Sequence, residues 1–172
     1  RRKVPEVKFV HHYHDDPGYV SALVGRVRDH WEKYGKPDKL LFSFHGIPVR
    51  FKEEGDYYNE HCEETAQAVA NELGLSKDEW YMSYQSQFGK EEWLSPKTDK
   101  TLEEWGSHGM GRVDVICPGF AADCLETIEE IGEENRENFQ EAGGGDFHYI
   151  PALNDGPDHI AALASIVERN MN

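Results

Sequence analysis

Short apolar runs alternate along this chain with longer stretches in which apolar residues recur every three or four positions. The first pattern suits a strand buried on both faces, and the second a helix with one face toward a core. Val7 to Val10 opens the series as a predicted strand. After the turn-forming Asp15-Asp16-Pro17-Gly18, the residues Tyr19, Leu23, Val24, Val27 and Trp31 predict a helix that Lys36-Pro37-Asp38 ends. Leu40 to Phe44 is the second predicted strand, which Gly46 and Pro48 stop just beyond His45. Cys62, Ala66, Val69, Ala70 and Leu73 predict a helix over 56–73, closed by Gly74.

Trp80 to Tyr84 is the third predicted strand, and Gln85 to Pro96 a long connection without period, a kind of segment that often carries function. A helix over 98–107 with Thr98 or Asp99 near its cap, a strand from Val113 to Cys117, a helix over 123–141, a strand from Phe147 to Ile150 and a helix over 157–170 complete the series. Gly143-Gly144-Gly145 reads as a flexible loop rather than a phosphate cradle, since no GxxxxGK pattern surrounds it. Strands alternating with helices predict an α/β fold with a mainly parallel sheet of four to five strands.

A chain of 172 residues can bury a sizeable core as a single domain spanning 1–172. Its 18 basic and 33 acidic residues leave a formal charge of -15, which repels phosphates and argues against a nucleic-acid partner. Most of that excess reads as solvated surface, and only the locally clustered carboxylates ask for more. No apolar run approaches the roughly 18–20 residues of a spanning helix. Arg1-Arg2-Lys3 runs into Val4-Pro5-Glu6 rather than a signal-type apolar segment, so a cytoplasmic location is expected. Cys62, Cys117 and Cys124 form no CxxC pair and are odd in number, which predicts reduced thiols.

Candidate chemistry concentrates in two places. His45 follows a strand and precedes a glycine, so its ring is expected at the carboxyl edge of the sheet, where open α/β folds bind ligands. An imidazole there can accept a proton or hold a cation. The run from Cys117 to Glu130 passes from a strand through the Gly119 turn into a helix on which Glu126, Glu130 and Glu134 recur every four residues, about 6 Å apart in rise. Like charges stacked this way disfavour a helix unless cations or solvent screen them, and their hard oxygens suit hydrated divalent ions. Asp123 is expected to cap this helix, while Cys117 and Cys124 read as packed small side chains. His11, His12 and His14 form a weak metal-site pattern with no known ligand geometry. Phe44, Phe88 and Trp93 read either as an apolar wall for a flat ligand or as core.

The segments Phe42-Ser43-Phe44-His45-Gly46-Ile47-Pro48, Gln85-Ser86-Gln87-Phe88-Gly89 with Trp93-Leu94-Ser95-Pro96, and Cys117 to Thr127 together resemble ferrochelatase motifs in their family order, and Ile150-Pro151-Ala152-Leu153-Asn154 agrees with them. The resemblance spans nearly the whole chain. It implies a chelatase-like domain of flavodoxin or Rossmann-like kind, corresponding to the second half of a two-domain ferrochelatase. It also implies insertion of ferrous iron into protoporphyrin IX, giving protoheme in the last step of heme synthesis, with no organic cofactor. By resemblance His45 and Glu126 are the catalytic pair, and His45, Glu126, Glu130 and Glu134 handle the metal. Phe44, Phe88 and Trp93 are the expected porphyrin contacts.

Three cysteines are too few for the four thiolates of an iron-sulfur cluster, so none is expected. With only one of the family's two domains represented, a homodimer is expected if the domain acts alone, and an apolar substrate leaves room for peripheral membrane contact. Two other readings remain open on the sequence: a chelatase for coproporphyrin or for a cobalt or nickel tetrapyrrole, and a porphyrin- or heme-binding domain without turnover.

Overall fold

The computed structural model describes residues 5–171; the basic start Arg1-Arg2-Lys3-Val4 lies outside them. Asp16 opens helix α1, Pro17–Tyr34, by accepting hydrogen bonds from the backbone N–H groups of Gly18 and Tyr19, with Pro17 at the position where its missing N–H costs nothing. Strand β1, Lys39–His45, follows, then the short α2, Val49–Glu53, and α3, Tyr58–Leu73, which ends on Gly74 in the left-handed conformation. Next come β2, Trp80–Gln85, α4, Thr98–Ser107, and β3, Arg112–Ile116. Helix α5, Leu125–Ile128, a π-helical segment, Glu130–Asn135, and α6, Arg136–Glu141, form one interrupted rod before β4, Asp146–Ile150, and α7, Pro157–Met171.

The four strands make one all-parallel sheet in the order β2-β1-β3-β4. Alternate side chains of β1 feed two separate cores. Leu40, Phe42 and Phe44 face Val20, Val24, Val27, Ala66 and Val69 of α1 and α3. Leu41 joins Leu102, Val113, Val115, Ile131, Phe139 and Phe147 on the other face. Burial on both faces explains why the strands read as continuous apolar runs. No helix among the described residues is long and apolar enough to cross a membrane.

Three expectations change. Val7 to Val10 is not a strand: the segment has no regular structure, and Val7, Phe9 and Val10 are all exposed. Its alternation is too short to offer a buried face, and without a partner strand nothing holds it extended. The rod predicted over 123–141 begins at Leu125 with Cys124 as its cap, so Asp123 lies outside it. Gly143-Gly144-Gly145 is a loop, but a tightly packed one: a Cβ on Gly145 would stand 2.2 Å from the Gly111 carbonyl oxygen, and one on Gly144 would stand 2.5 Å from the Phe139 ring.

Candidate functional site

β1 connects onward to β2 on one side, while β3 connects to β4 on the other, so the sheet reverses its winding between β1 and β3. Ligands in such sheets bind outside the carboxyl ends of the strands at that reversal. There the chain places a cavity of about 640 Å³ lined by His45, Gln85, Ser86, Phe88, Trp93, Glu126, Glu130 and Glu134.

His45 Nδ1 lies 2.6 Å from the carbonyl oxygen of Gly46. A carbonyl only accepts, so Nδ1 carries the proton and the lone pair sits on Nε2. The backbone around the ring is fixed from two sides: Tyr58 Oη donates to the His45 carbonyl at 2.8 Å, and Gly46 N–H donates to the Gln85 carbonyl at 2.8 Å. Residue 46 must be small, since a Cβ there would stand 3.0 Å from that carbonyl and 3.2 Å from the Trp93 ring. The Trp93 and Phe120 rings flank the imidazole, each with its centroid 6.2 Å away. Trp93 Nε1 is buried with no hydrogen-bond partner among the described residues.

Glu126 follows the Cys124 cap. The Cys124 thiol and its own backbone N–H hold its carboxyl below the ordinary range, and a proton taken up by His45 would act in the same direction. Glu126 therefore stands as a carboxylate near neutral pH. Glu130 accepts from the Ser86 backbone N–H at 2.7 Å, from the Ser86 hydroxyl and from Gln85 Nε2. These bonds hold Ser86 at φ 65°, a left-handed conformation that a residue with a Cβ seldom adopts. Gln85, buried, spans the site: its amide nitrogen donates to the Glu126 carbonyl at 2.6 Å, and its amide oxygen accepts from Ser43 Oγ at 2.8 Å and Cys117 Sγ at 3.3 Å.

The π-helical segment sets the direction of the carboxylates. Glu126, Glu130, Glu134 and Asn138 all line the cavity, and Thr127, Ile131, Asn135 and Phe139 are all buried, with Asn135 alone of these four also reaching the cavity wall. Each series advances by four residues. A regular α-helix turns about 40° past a full revolution every four residues, so three such steps would swing Asn138 well away from Glu126. The wider turn over 130–135, closed by a bond from Asn135 Nδ2 to the Glu130 carbonyl at 2.8 Å, takes back part of that drift.

The structure thus brings His45, Glu126, Glu130, Glu134, Phe88 and Trp93 together, with Phe88 at 84% exposure on the rim. It does not bring Phe44 to this cavity: Phe44 is 3% exposed in the α1–α3 core, with its ring against Gly119. Its side chain leaves β1 on the face opposite Ser43, which serves Gln85. The aromatic beside His45 on that flank is Phe120, unpredicted although it follows Gly119 in the motif. Asp123 is a tie between loops rather than a cap, accepting from Tyr149 Oη at 2.6 Å, Asn154 Nδ2 at 2.7 Å, Ala152 N–H at 3.1 Å and Thr127 Oγ1 at 3.2 Å. Cys117 is buried, as expected, and Cys124 is half-buried.

His45, the three glutamates and Asp99, which also lines the cavity, are the groups here able to receive a divalent ion. They do not form a closed cage: the sets of three His, Cys, Asp or Glu ligand atoms within 4.8 Å of one another among the described residues lie elsewhere. An incompletely ligated ion with one imidazole and carboxylates nearby is easily passed on, which suits a cargo more than a resident metal.

Residues 1–171 match the family model described as Ferrochelatase. The chain is 56% identical over 170 residues to the ferrochelatase of Thioalkalivibrio sulfidiphilus, covering 99% of this chain and 46% of that protein. It is 54% identical over 168 residues to the ferrochelatase of Actinobacillus pleuropneumoniae serotype 5b, covering 98% and 51%. It is 56% identical over 166 residues to that of Aromatoleum aromaticum, covering 96% and 46%. The chain spans about half the length of the curated relatives it matches.

Proposed function

The chain belongs to the ferrochelatase family, and from that premise we propose that it forms the metal- and proton-handling wall of an enzyme that inserts ferrous iron into protoporphyrin IX to give protoheme. The observation that carries this reading is the shared cavity of His45, with its proton on Nδ1, and the ionised Glu126. Insertion exchanges one divalent ion for two pyrrole protons, so the site must both accept protons and replace the ion's water. His45 Nε2 takes the two pyrrole protons one after the other, Glu126 stabilising the imidazolium each time, and each proton leaves to solvent past the Glu130 and Glu134 carboxylates before the ring accepts again. Glu130 and Glu134 offer oxygens to the incoming ion along the rod, while Trp93 and Phe88 meet the edge of the macrocycle. Iron enters as substrate, and neither an organic cofactor nor an iron-sulfur cluster takes part.

This wall corresponds to the second of the family's two halves. The opposing wall comes from the further chain length present in the relatives or, where this chain acts alone, from a second copy in a homodimer. The reaction is placed in the cytoplasm, with peripheral membrane contact for delivery of an apolar substrate.

The test mixes purified protein with protoporphyrin IX and ferrous iron under anaerobic conditions and follows the metalloporphyrin spectrum. His45→Ala and Glu126→Gln should each lower turnover about 10²–10⁴-fold. Parental turnover in His45→Ala overturns the assignment. So does a parent that metalates nothing, either alone or supplied with the remaining half of a relative. Solution mass decides the dimer: full turnover by a monomer of this chain refutes it.

A further inference from the structure

A second histidine group lies on the far side of Tyr58 from His45. Tyr58, whose hydroxyl anchors the His45 carbonyl, also lines a smaller cavity of about 230 Å³ with His12, His14 and His61. One ring nitrogen of each of these three histidines lies within 4.8 Å of those of the other two. The His14 and His61 rings stack at 3.8 Å and 13°, and the His12 ring lies 5.1 Å from His14 and 4.9 Å from His61. Two chain segments far apart in sequence meet here, joined by Thr65 Oγ1, which shares its one O–H between the carbonyls of His14 and His61, each 2.9 Å away.

The bonding of His14 is the informative detail. Its Nε2 lies 2.6 Å from a Glu64 carboxylate oxygen, while its Nδ1 is buried with no hydrogen-bond partner among the described residues. A buried polar atom is normally hydrogen-bonded, and the nearest acidic oxygen to this one, Asp15 Oδ1 at 3.9 Å, is too far to serve. An imidazole that gives one N–H to a carboxylate and keeps the other nitrogen free has the arrangement of a metal-ligating histidine with its orienting partner. In the other three-ligand group among the described residues, His30, Asp114 and His148, the ligand atoms already have partners: Asp114 is engaged by Arg112 and by Trp31 Nε1, and His30 Nε2 lies 3.2 Å from His148 Nδ1.

We propose that His12, His14 and His61 form a binding site for a borderline divalent transition-metal ion of zinc type, separate from the iron path, with Glu64 orienting His14 and a fourth position open to water. Imidazoles without thiolates suit zinc and its first-row neighbours, and three protein ligands with an open position are a stable zinc arrangement. Reaching bonds of roughly 2.0–2.1 Å requires the stacked His14 and His61 rings to splay and the His12 ring to close toward them. Residues 5–12 have no regular structure to resist that movement. Binding would clamp residues 12–14 to the first turns of α3.

The test uses tag-free, metal-free protein carrying His45→Ala and Glu126→Gln, so that ions in the larger cavity do not count. Calorimetric titration with zinc should show one bound equivalent, and cobalt(II) in its place should give the strong visible d–d absorption of four- or five-coordinate imidazole ligation. Adding His61→Ala should remove the equivalent, and Glu64→Gln should weaken it by about 10–100-fold. Circular dichroism checks that the metal-free His61→Ala protein is folded. If it is not, His12→Ala, outside regular structure, gives the same reading. Parental zinc affinity in the folded histidine variant, or no equivalent bound in the parent of the series, overturns the proposal. Neither result bears on porphyrin metalation, which is read in the unsubstituted protein.

Discussion

Replacing Asp123 by asparagine changes one oxygen to an NH₂ group in a place where the structure leaves no accommodating rotation. Asp123 Oδ1 accepts from Tyr149, Ala152 and Thr127, so the amide oxygen of Asn must keep that side, and its NH₂ group then meets Asn154 Nδ2, the donor that Oδ2 accepted at 2.7 Å. Asn154 cannot flip to relieve the clash, because its Oδ1 already accepts the Asp123 backbone N–H at 2.8 Å. One charge-assisted bond is lost, worth about 1.5–3 kcal/mol, and the second acceptor of Asn154 Nδ2, the Ala152 carbonyl at 3.2 Å, softens the loss only slightly. The expected destabilisation of about 2–3 kcal/mol corresponds to a fall in Tm of about 4–12 °C for a chain of this size.

Urea denaturation measures this effect, and the double variant Asp123→Asn with Asn154→Asp isolates its cause. The relocated carboxylate can accept both from the new NH₂ group and from the backbone N–H of residue 123, and aspartate tolerates the φ of 51° found at residue 154. About half of the lost stability should return. Acid supplies a third reading. Burial pushes the Asp123 carboxyl up, but the bonds from Asn154, Tyr149, Ala152 and Thr127 together outweigh it and hold the pKa below the ordinary value. A depressed folded-state pKa stabilises fully above the unfolded-state value, and that contribution is lost as pH falls through the folded-state value. The gap between parent and single variant should therefore narrow in that acid range. A single variant within about 0.5 kcal/mol of the parent, or a double variant no more stable than the single, refutes the reasoning.

Gly145→Ala should cost about 1–3 kcal/mol in urea denaturation, because its Cβ would be forced against the Gly111 carbonyl; an unchanged midpoint would show that the two loops separate freely. Glu130→Gln removes one of the acceptor oxygens that hold Ser86 in its left-handed conformation, so amide hydrogen exchange across 86–96 should accelerate about tenfold for each 1.4 kcal/mol of anchoring lost. Exchange at the parental rate would place the anchor of that loop elsewhere.

Much of this architecture is legible in the residue pattern. The helix over 98–107 stands where its period predicts, and the ends of β1 and β3 fall just before the turn residues expected to follow them. Double-sided burial makes such strands read as plain apolar runs. The segment Val7 to Val10 reads the same way locally, and only the absence of a partner strand distinguishes it. The π-helical segment is written in the strict four-residue spacing of Thr127, Ile131, Asn135 and Phe139, a period longer than 3.6 that passes for ordinary helix when only the glutamates are followed. Phe44 and Ser43 differ only in the face of one strand, which a continuous apolar run does not specify. The role of Asp123 depends on Tyr149 and Asn154, and the histidine group on His61, contacts that exist only after distant segments meet.

The two faces of the sheet are insulated by cores of unequal depth. Glu126, Glu130 and Glu134 ride on the shallower one, built on Leu102, Ile131 and Phe139, whereas α1 and α3 share the deeper one with β1. Regions of lower local stability open before the whole. Mild heat should therefore peel the acidic rod from the imidazole while the strands keep their exchange protection, so inactivation would come as a sub-global event ahead of unfolding. Engineering for a longer working life belongs beneath that rod, around Leu102 and Phe139, rather than in the thicker layer that already outlasts it.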